Sequence, residues 1–131
     1  MRVIDLLGGT ELMTRSECLE FLRRRNIGRL ATVTAGQPDI VPVNYFVDGG
    51  DVVIASNLGH KLLAASEALV AFEVDSIDEE RRRATSVVVN GSATAEAPGA
   101  AASAAVAWSG PKDFLIRIVP TAITGRHITA S

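Results

Sequence analysis

The stretch Gly28–Ser56, GRLATVTAGQPDIVPVNYFVDGGDVVIAS, decides the fold. Its runs GRLATVT (Gly28–Thr34) and IVPVNYFV (Ile40–Val47) are short and rich in β-branched residues, and AGQPD between them carries a Gly and a Pro for a turn. The DGGD of Asp48–Asp51 closes a second hairpin. In DVVIAS, Val52 and Ile54 fall on one face and Val53 and Ala55 on the other, so both faces are apolar and a central strand covered on both sides is predicted.

Upstream, Thr14 and Glu17 form T-x-x-E, a capping box that predicts a helix start. Cys18, Leu19, Phe21 and Leu22 give that helix an apolar stripe, Arg23, Arg24 and Arg25 crowd its last turn, and Asn26 with Gly28 is expected to end it. Downstream, KLLAASEA predicts two helical turns, and LVAFEVD alternates as a strand with Val70, Phe72 and Val74 on one side. SIDEERRRA is expected to be a loop, and SVVVNGSATAEA a strand with Gly91 at a bulge. The Ala-rich block 96–110 is expected to be helical or mobile. DFLIRIV alternates with Phe114, Ile116 and Ile118 inward, and Pro120 is expected to separate it from TAITGRHI.

The sum is six or seven short antiparallel strands, mainly β, in a single domain over residues 1–131 with residues 1–13 as an N-terminal arm. Such a set closes as a small barrel or stacks as a sandwich, and composition does not separate the two.

Composition narrows the function. The 131 residues are 47% hydrophobic and 21% charged, ordinary for a globular domain. A formal net charge of −2 gives no overall attraction to nucleic acid or anionic lipid. Cys18 is the single cysteine, no zinc-ligand spacing occurs, and no metal is expected. MRVIDLLGGTELM is interrupted by Asp5, Gly8, Gly9 and Glu11, and no apolar run reaches the roughly 20 residues of a membrane-spanning helix, so a cytoplasmic setting is expected.

Few residues suggest chemistry. SNLGHKLLAA (Ser56–Ala65) leaves a strand through a hydroxyl, turns at Gly59 and opens a helix with His60 and Lys61. That pattern suits a structural cap, and it also suits a phosphate seat at a helix start. His60 and His127 lie far apart, no Ser-His-Asp or Cys-His set can be assembled, and no catalytic residue is assigned. Cys18 reads as a buried, inert thiol. Arg23, Arg24, Arg25 and Arg29 form a basic cluster that suits a solvated helix end or a phosphate contact. Glu73 on an apolar strand requires a partner, with Arg117 the candidate. Trp108, the single tryptophan, suits a pocket cover, a subunit contact or core packing.

Taken in order, ECLEFLRRRNIGRLAT, GQPDIVPVNYFVDGGDVVIAS, GHKL, VAFEVD, SVVVNGSA and IRIVPTAITGRHI resemble the pyridoxamine 5′-phosphate oxidase-like, FMN-binding split-barrel family from about Arg15 to Ile128. The resemblance implies a six-stranded antiparallel split β-barrel, working as a homodimer with flavin sites at the subunit interface. It implies a flavin-dependent oxidoreductase that uses FMN, or a deazaflavin, to move a hydride to or from a small organic substrate. It carries the cofactor phosphate to Ile54 through Leu62, with Ser56 and Lys61 as contacts, and a protonated His60 is expected to substitute in part for an arginine that the chain lacks. It sets Val43, Asn44 and Tyr45 beside the isoalloxazine ring, and Thr85 and Ser86 at the flavin's polar edge or tail. Many relatives have an arginine where Ala55 stands, a threonine at His60 and an aromatic residue at Ala84. The missing arginine makes a non-catalytic flavin- or ligand-binding dimer the second reading.

Overall fold

The computed structural model describes residues 9–56, 68–96 and 114–129, without the side chains of Ser56, Glu96 and Phe114. The helix expected over KLLAASEA, the block at 96–110 and Trp108 lie largely or wholly outside the described residues.

Helix α1 (Arg15–Arg23) starts at the capping box. Glu17 N donates to Thr14 Oγ1 at 3.1 Å, and Thr14 N donates to Glu17 Oε1 at 2.8 Å. The helix ends earlier than expected, with Arg24 as its C-cap, and Gly28 belongs to the following strand. That glycine serves close packing instead of termination. A Cβ there would sit 2.5 Å from Phe72 Cζ and 2.9 Å from the Glu73 carbonyl oxygen.

The strands are β1 (Thr10–Leu12), β2 (Ile27–Thr34), β3 (Gln37–Asp48), β4 (Asp51–Ser56), β5 (Ala68–Asp78), β6 (Arg83–Glu96) and β7 (Phe114–Thr129). The sheet order is β1-β7-β4-β3-β2-β5-β6, and β6 also pairs with β7. That last pairing closes β2 to β7 into an antiparallel six-stranded barrel, while β1 adds beside the far end of β7. Closure leaves few unpaired edges and selects the barrel over the sandwich.

Three turn expectations are corrected. The β2–β3 turn is only Ala35-Gly36, both at positive φ (51° and 78°), so Gln37, Pro38 and Asp39 join β3. In SIDEERRRA the strands run on to Asp78 and resume at Arg83, leaving a short turn. Pro120 does not divide β7: a register shift at Asn90/Gly91, opposite Pro120, accommodates the ring and its missing N–H. Gly91 sits at the expected irregularity, although the extra residue is Thr121 on β7. A Cβ on Gly91 would meet the Val119 carbonyl oxygen at 2.3 Å.

Period-two alternation fills the barrel. Leu30, Tyr45, Ile54, Phe72, Val74, Val87, Val89, Ile116 and Ile118 point inward and are essentially inaccessible. Cys18 and Leu22 of α1 join the same core, and burial pushes the Cys18 thiol pKa up, consistent with an inert thiol. As expected, β4 is buried on both faces, because Val53 and Ala55 form a second, outer cluster with Leu115 and Phe46. No helix among the described residues is long and apolar enough to cross a membrane.

Candidate functional site

Alternation along each strand sorts the candidate residues by face. Val43, Tyr45 and Ile54 point into the barrel, where Ile54 is fully buried and Val43 packs on the core. The Tyr45 ring meets Phe72 edge-on at 4.9 Å between centroids. Their side chains are therefore committed to packing, and only their backbones are left for a ligand.

Asn44 points the other way. It pairs with Ile27 on β2, and one residue beyond the Tyr45–Ile54 pair the same register brings it level with Ala55 on β4. Its Oδ1 is buried and accepts no hydrogen bond among the described residues. Native structures leave few such acceptors unpaired, and an unpaired one costs about 1–3 kcal/mol. On the face it shares by register with Ile27 and Ala55, this acceptor is left without a donor among the described residues.

Thr85 and Ser86 fall on opposite faces of β6. The Thr85 hydroxyl shares a 2.9 Å hydrogen bond with His127 Nδ1 on the barrel side. Ser86 faces outward, like Asn44, and donates to Glu73 Oε2 at 3.0 Å. Between Asn44 and Ser86 lie β2 and β5, so three strand spacings, roughly 14 Å, separate them. Ser56 ends β4 opposite Phe114, with only its backbone described, and His60, Lys61 and Leu62 lie outside the described residues.

Glu73 finds a partner other than the expected Arg117. It faces outward, where Arg29 Nη1 donates to its Oε1 at 3.1 Å and to Asp75 Oδ2 at 3.3 Å. Desolvation raises the Glu73 pKa, and the nearby Asp75 adds to the rise against the opposing effects of Ser86 and Arg29. The β2–β5 register sets Arg29 opposite Glu73, a long-range pairing that spacing alone did not reveal. Arg117 instead clamps the DGGD hairpin, with Nη2 on Asp48 at 2.9 Å and Nη1 on Asp51 at 3.1 Å.

The basic cluster also disperses. Arg23 donates to the Gly49 carbonyl at 3.3 Å, Arg24 pairs with Glu20 at 3.1 Å, and Arg25 lies 3.8 Å over the Phe21 ring. Each guanidinium is occupied locally, so the four do not build one phosphate seat.

Several grooves mark the surface of the described residues. One of about 410 Å³ runs over Ala31, Val33, Pro38, Leu69 and Ala71, and is mostly apolar. Of its lining, Val33 and Leu69 are exposed, the latter 72% accessible, and exposed Ile40 lies across from Ala31. Two more lie on β6 and β7, one of about 340 Å³ lined by Ser86 and Arg126 and one of about 360 Å³ lined by Thr85 and His127.

The sequence model described as pyridoxamine 5′-phosphate oxidase matches residues 14–127. An uncharacterized protein of Mycobacterium tuberculosis is 35% identical over 88 residues, 63% of this chain and 58% of that protein. The chain therefore spans less than two-thirds of the length of that relative. Among solved structures, an FAD binding protein from Mycobacterium smegmatis superposes with a TM-score of 0.70 at 27% identity, covering 92% of this chain and 99% of that one. An FAD-binding protein from Mesorhizobium loti reaches 0.76 at 22% identity over 92% and 98%, and it speaks for the fold alone.

Proposed function

The chain belongs to the pyridoxamine 5′-phosphate oxidase family, and from that premise we propose that it is a flavin-dependent oxidoreductase working as a homodimer. The observation that carries the reading is the buried, unpartnered Oδ1 of Asn44 on the outward face. A flavin ring presents an imide N–H, a donor suited to that acceptor, so the residues present fit the group. A structural neighbour 27% identical to this chain is an FAD binding protein, which supports a flavin and adds FAD to FMN and a deazaflavin as candidates to be tested.

In this reading Asn44 orients the ring edge, and the backbones of Val43 and Tyr45 line it. Ser56, His60 and Lys61 hold the phosphate. The bound flavin supplies the hydride-transfer chemistry, which is why the chain needs no triad. The protein's part is to exclude water, orient the ring and fix the substrate beside it.

The roughly 14 Å between Asn44 and Ser86 favours a site completed across two copies, with Ser86 of one subunit facing the cofactor held by the other. Exposed Val33, Ile40 and Leu69 give the second copy an apolar face to cover. Ala55, where many relatives have arginine, favours a second reading, a flavin-binding dimer without turnover. Anaerobic mixing of the flavin-loaded protein with NADH and NADPH separates the two. Bleaching of the flavin absorbance supports the oxidoreductase, and a flavin that binds but stays oxidised with either donor supports the binding module.

A further inference from the structure

We propose that the outer groove on β6 and β7 is a binding site for a small monocarboxylate, with Arg126 as its anchor. Ser86, Val88, Asn90, Thr124, Arg126 and Ile128 line this groove of about 340 Å³. Cross-strand register builds it: Ser86 sits opposite Arg126, and Val88 opposite Thr124. Directly opposed side chains on one face lie roughly 5 Å apart at Cβ, so the four make a compact square about Arg126.

Arg126 differs from the other guanidiniums on this side of the barrel. Arg29 is held by Glu73 and Asp75, whereas Arg126 has no hydrogen bond or ion pair among the described residues. Its planar fork of donors matches a carboxylate in bidentate fashion. Thr124 adds a hydroxyl, and Val88 and Ile128 supply apolar walls for the rest of the molecule.

Charge selects between anions. Ser86 forms part of the groove and donates to Glu73, which with Asp75 contributes two acids against the one cation of Arg29. A phosphate dianion would meet that excess of acid with a single free guanidinium. With Arg126 counted, two guanidiniums match the two acids, so a monocarboxylate adds one net negative charge where a phosphate dianion adds two, and the singly charged acid with an apolar body is favoured.

The site shares Ser86 with the proposed flavin contact but does not depend on flavin, and it is tested on flavin-free protein. Binding of benzoate, the neutral benzamide and inorganic phosphate is followed by chemical shift changes, in wild type and in R126Q and R126K. Saturable benzoate binding is expected, weakened about tenfold or more in benzamide and in R126Q, with partial retention in R126K. R126Q is expected to keep the wild-type melting temperature without ligand, because the side chain is exposed and unpaired. Equal binding of benzoate and benzamide, unchanged affinity in R126Q, phosphate binding tighter than benzoate, or no saturation would each overturn the proposal.

Discussion

The Tyr45 hydroxyl donates to the Leu22 carbonyl at 2.6 Å, joining β3 of the barrel to the last turn of α1. Burial pushes the Tyr45 pKa well above the usual phenol value, so the folded state strongly prefers the neutral ring. A raised acid contributes stability that is complete below the unfolded pKa near 10 and is lost as pH rises beyond it toward the folded value. Tyr45→Phe is expected to cost about 1 kcal/mol at pH 7 in urea unfolding, and to flatten the loss of stability above about pH 10. An equally steep alkaline limb in the variant would contradict this assignment.

Glycines 28 and 91 make a paired test of packing. A methyl on Gly28 would collide with the Phe72 ring edge, whereas one on Gly91 would strike the Val119 backbone. Gly28→Ala is expected to cost on the order of 1–3 kcal/mol, and Phe72→Leu in the same chain to recover part of it. Gly91→Ala is expected to cost more and to gain nothing from Phe72→Leu. Denaturant midpoints of the four variants decide the matter.

Protonation of Glu73 gives a second pH signature. Its pKa is raised, chiefly by desolvation, so its contribution is complete below the ordinary carboxyl value and declines as pH rises through the elevated one. Glu73→Gln is expected to remove that decline, narrowing its stability difference from wild type on the acid side. Thermal melts from pH 4 to pH 7 supply the comparison.

Leu69, exposed on the outer face of β5, is expected to sit in the dimer contact. Leu69→Lys is expected to shift the protein toward monomer in sedimentation velocity while leaving the barrel's circular dichroism intact. A variant that stays dimeric would place the interface elsewhere.

Local signals in the sequence reached far. Thr14 and Glu17 located the helix start, and Asp48–Asp51 the tight hairpin. Alternation in Asp51–Ser56 identified a strand buried on both sides, and Gly91 marked the register shift between β6 and β7. What escaped was long-range register. Arg29 meets Glu73 across 44 residues, and Arg117 reaches Asp48 across 69, pairings that exist only once the strands are aligned. Closure through β6 and β7, which chose barrel over sandwich, is equally non-local. The candidate site divides for the same reason. Asn44, Tyr45, Thr85 and Ser86 were legible as a set from resemblance, but only the pleat separates outward Asn44 and Ser86 from inward Tyr45 and Thr85.

Flavin binding through Asn44 and the Ser56–Lys61 segment is tested most directly by titrating apo-protein with FMN, FAD and a deazaflavin. Flavin fluorescence is followed, with Asn44→Ala and Lys61→Ala beside the wild type. Saturable binding to at least one flavin is expected, weakened about tenfold or more in each variant at an unchanged melting temperature. No saturable binding to any of the three, or full affinity in both variants, would contradict it.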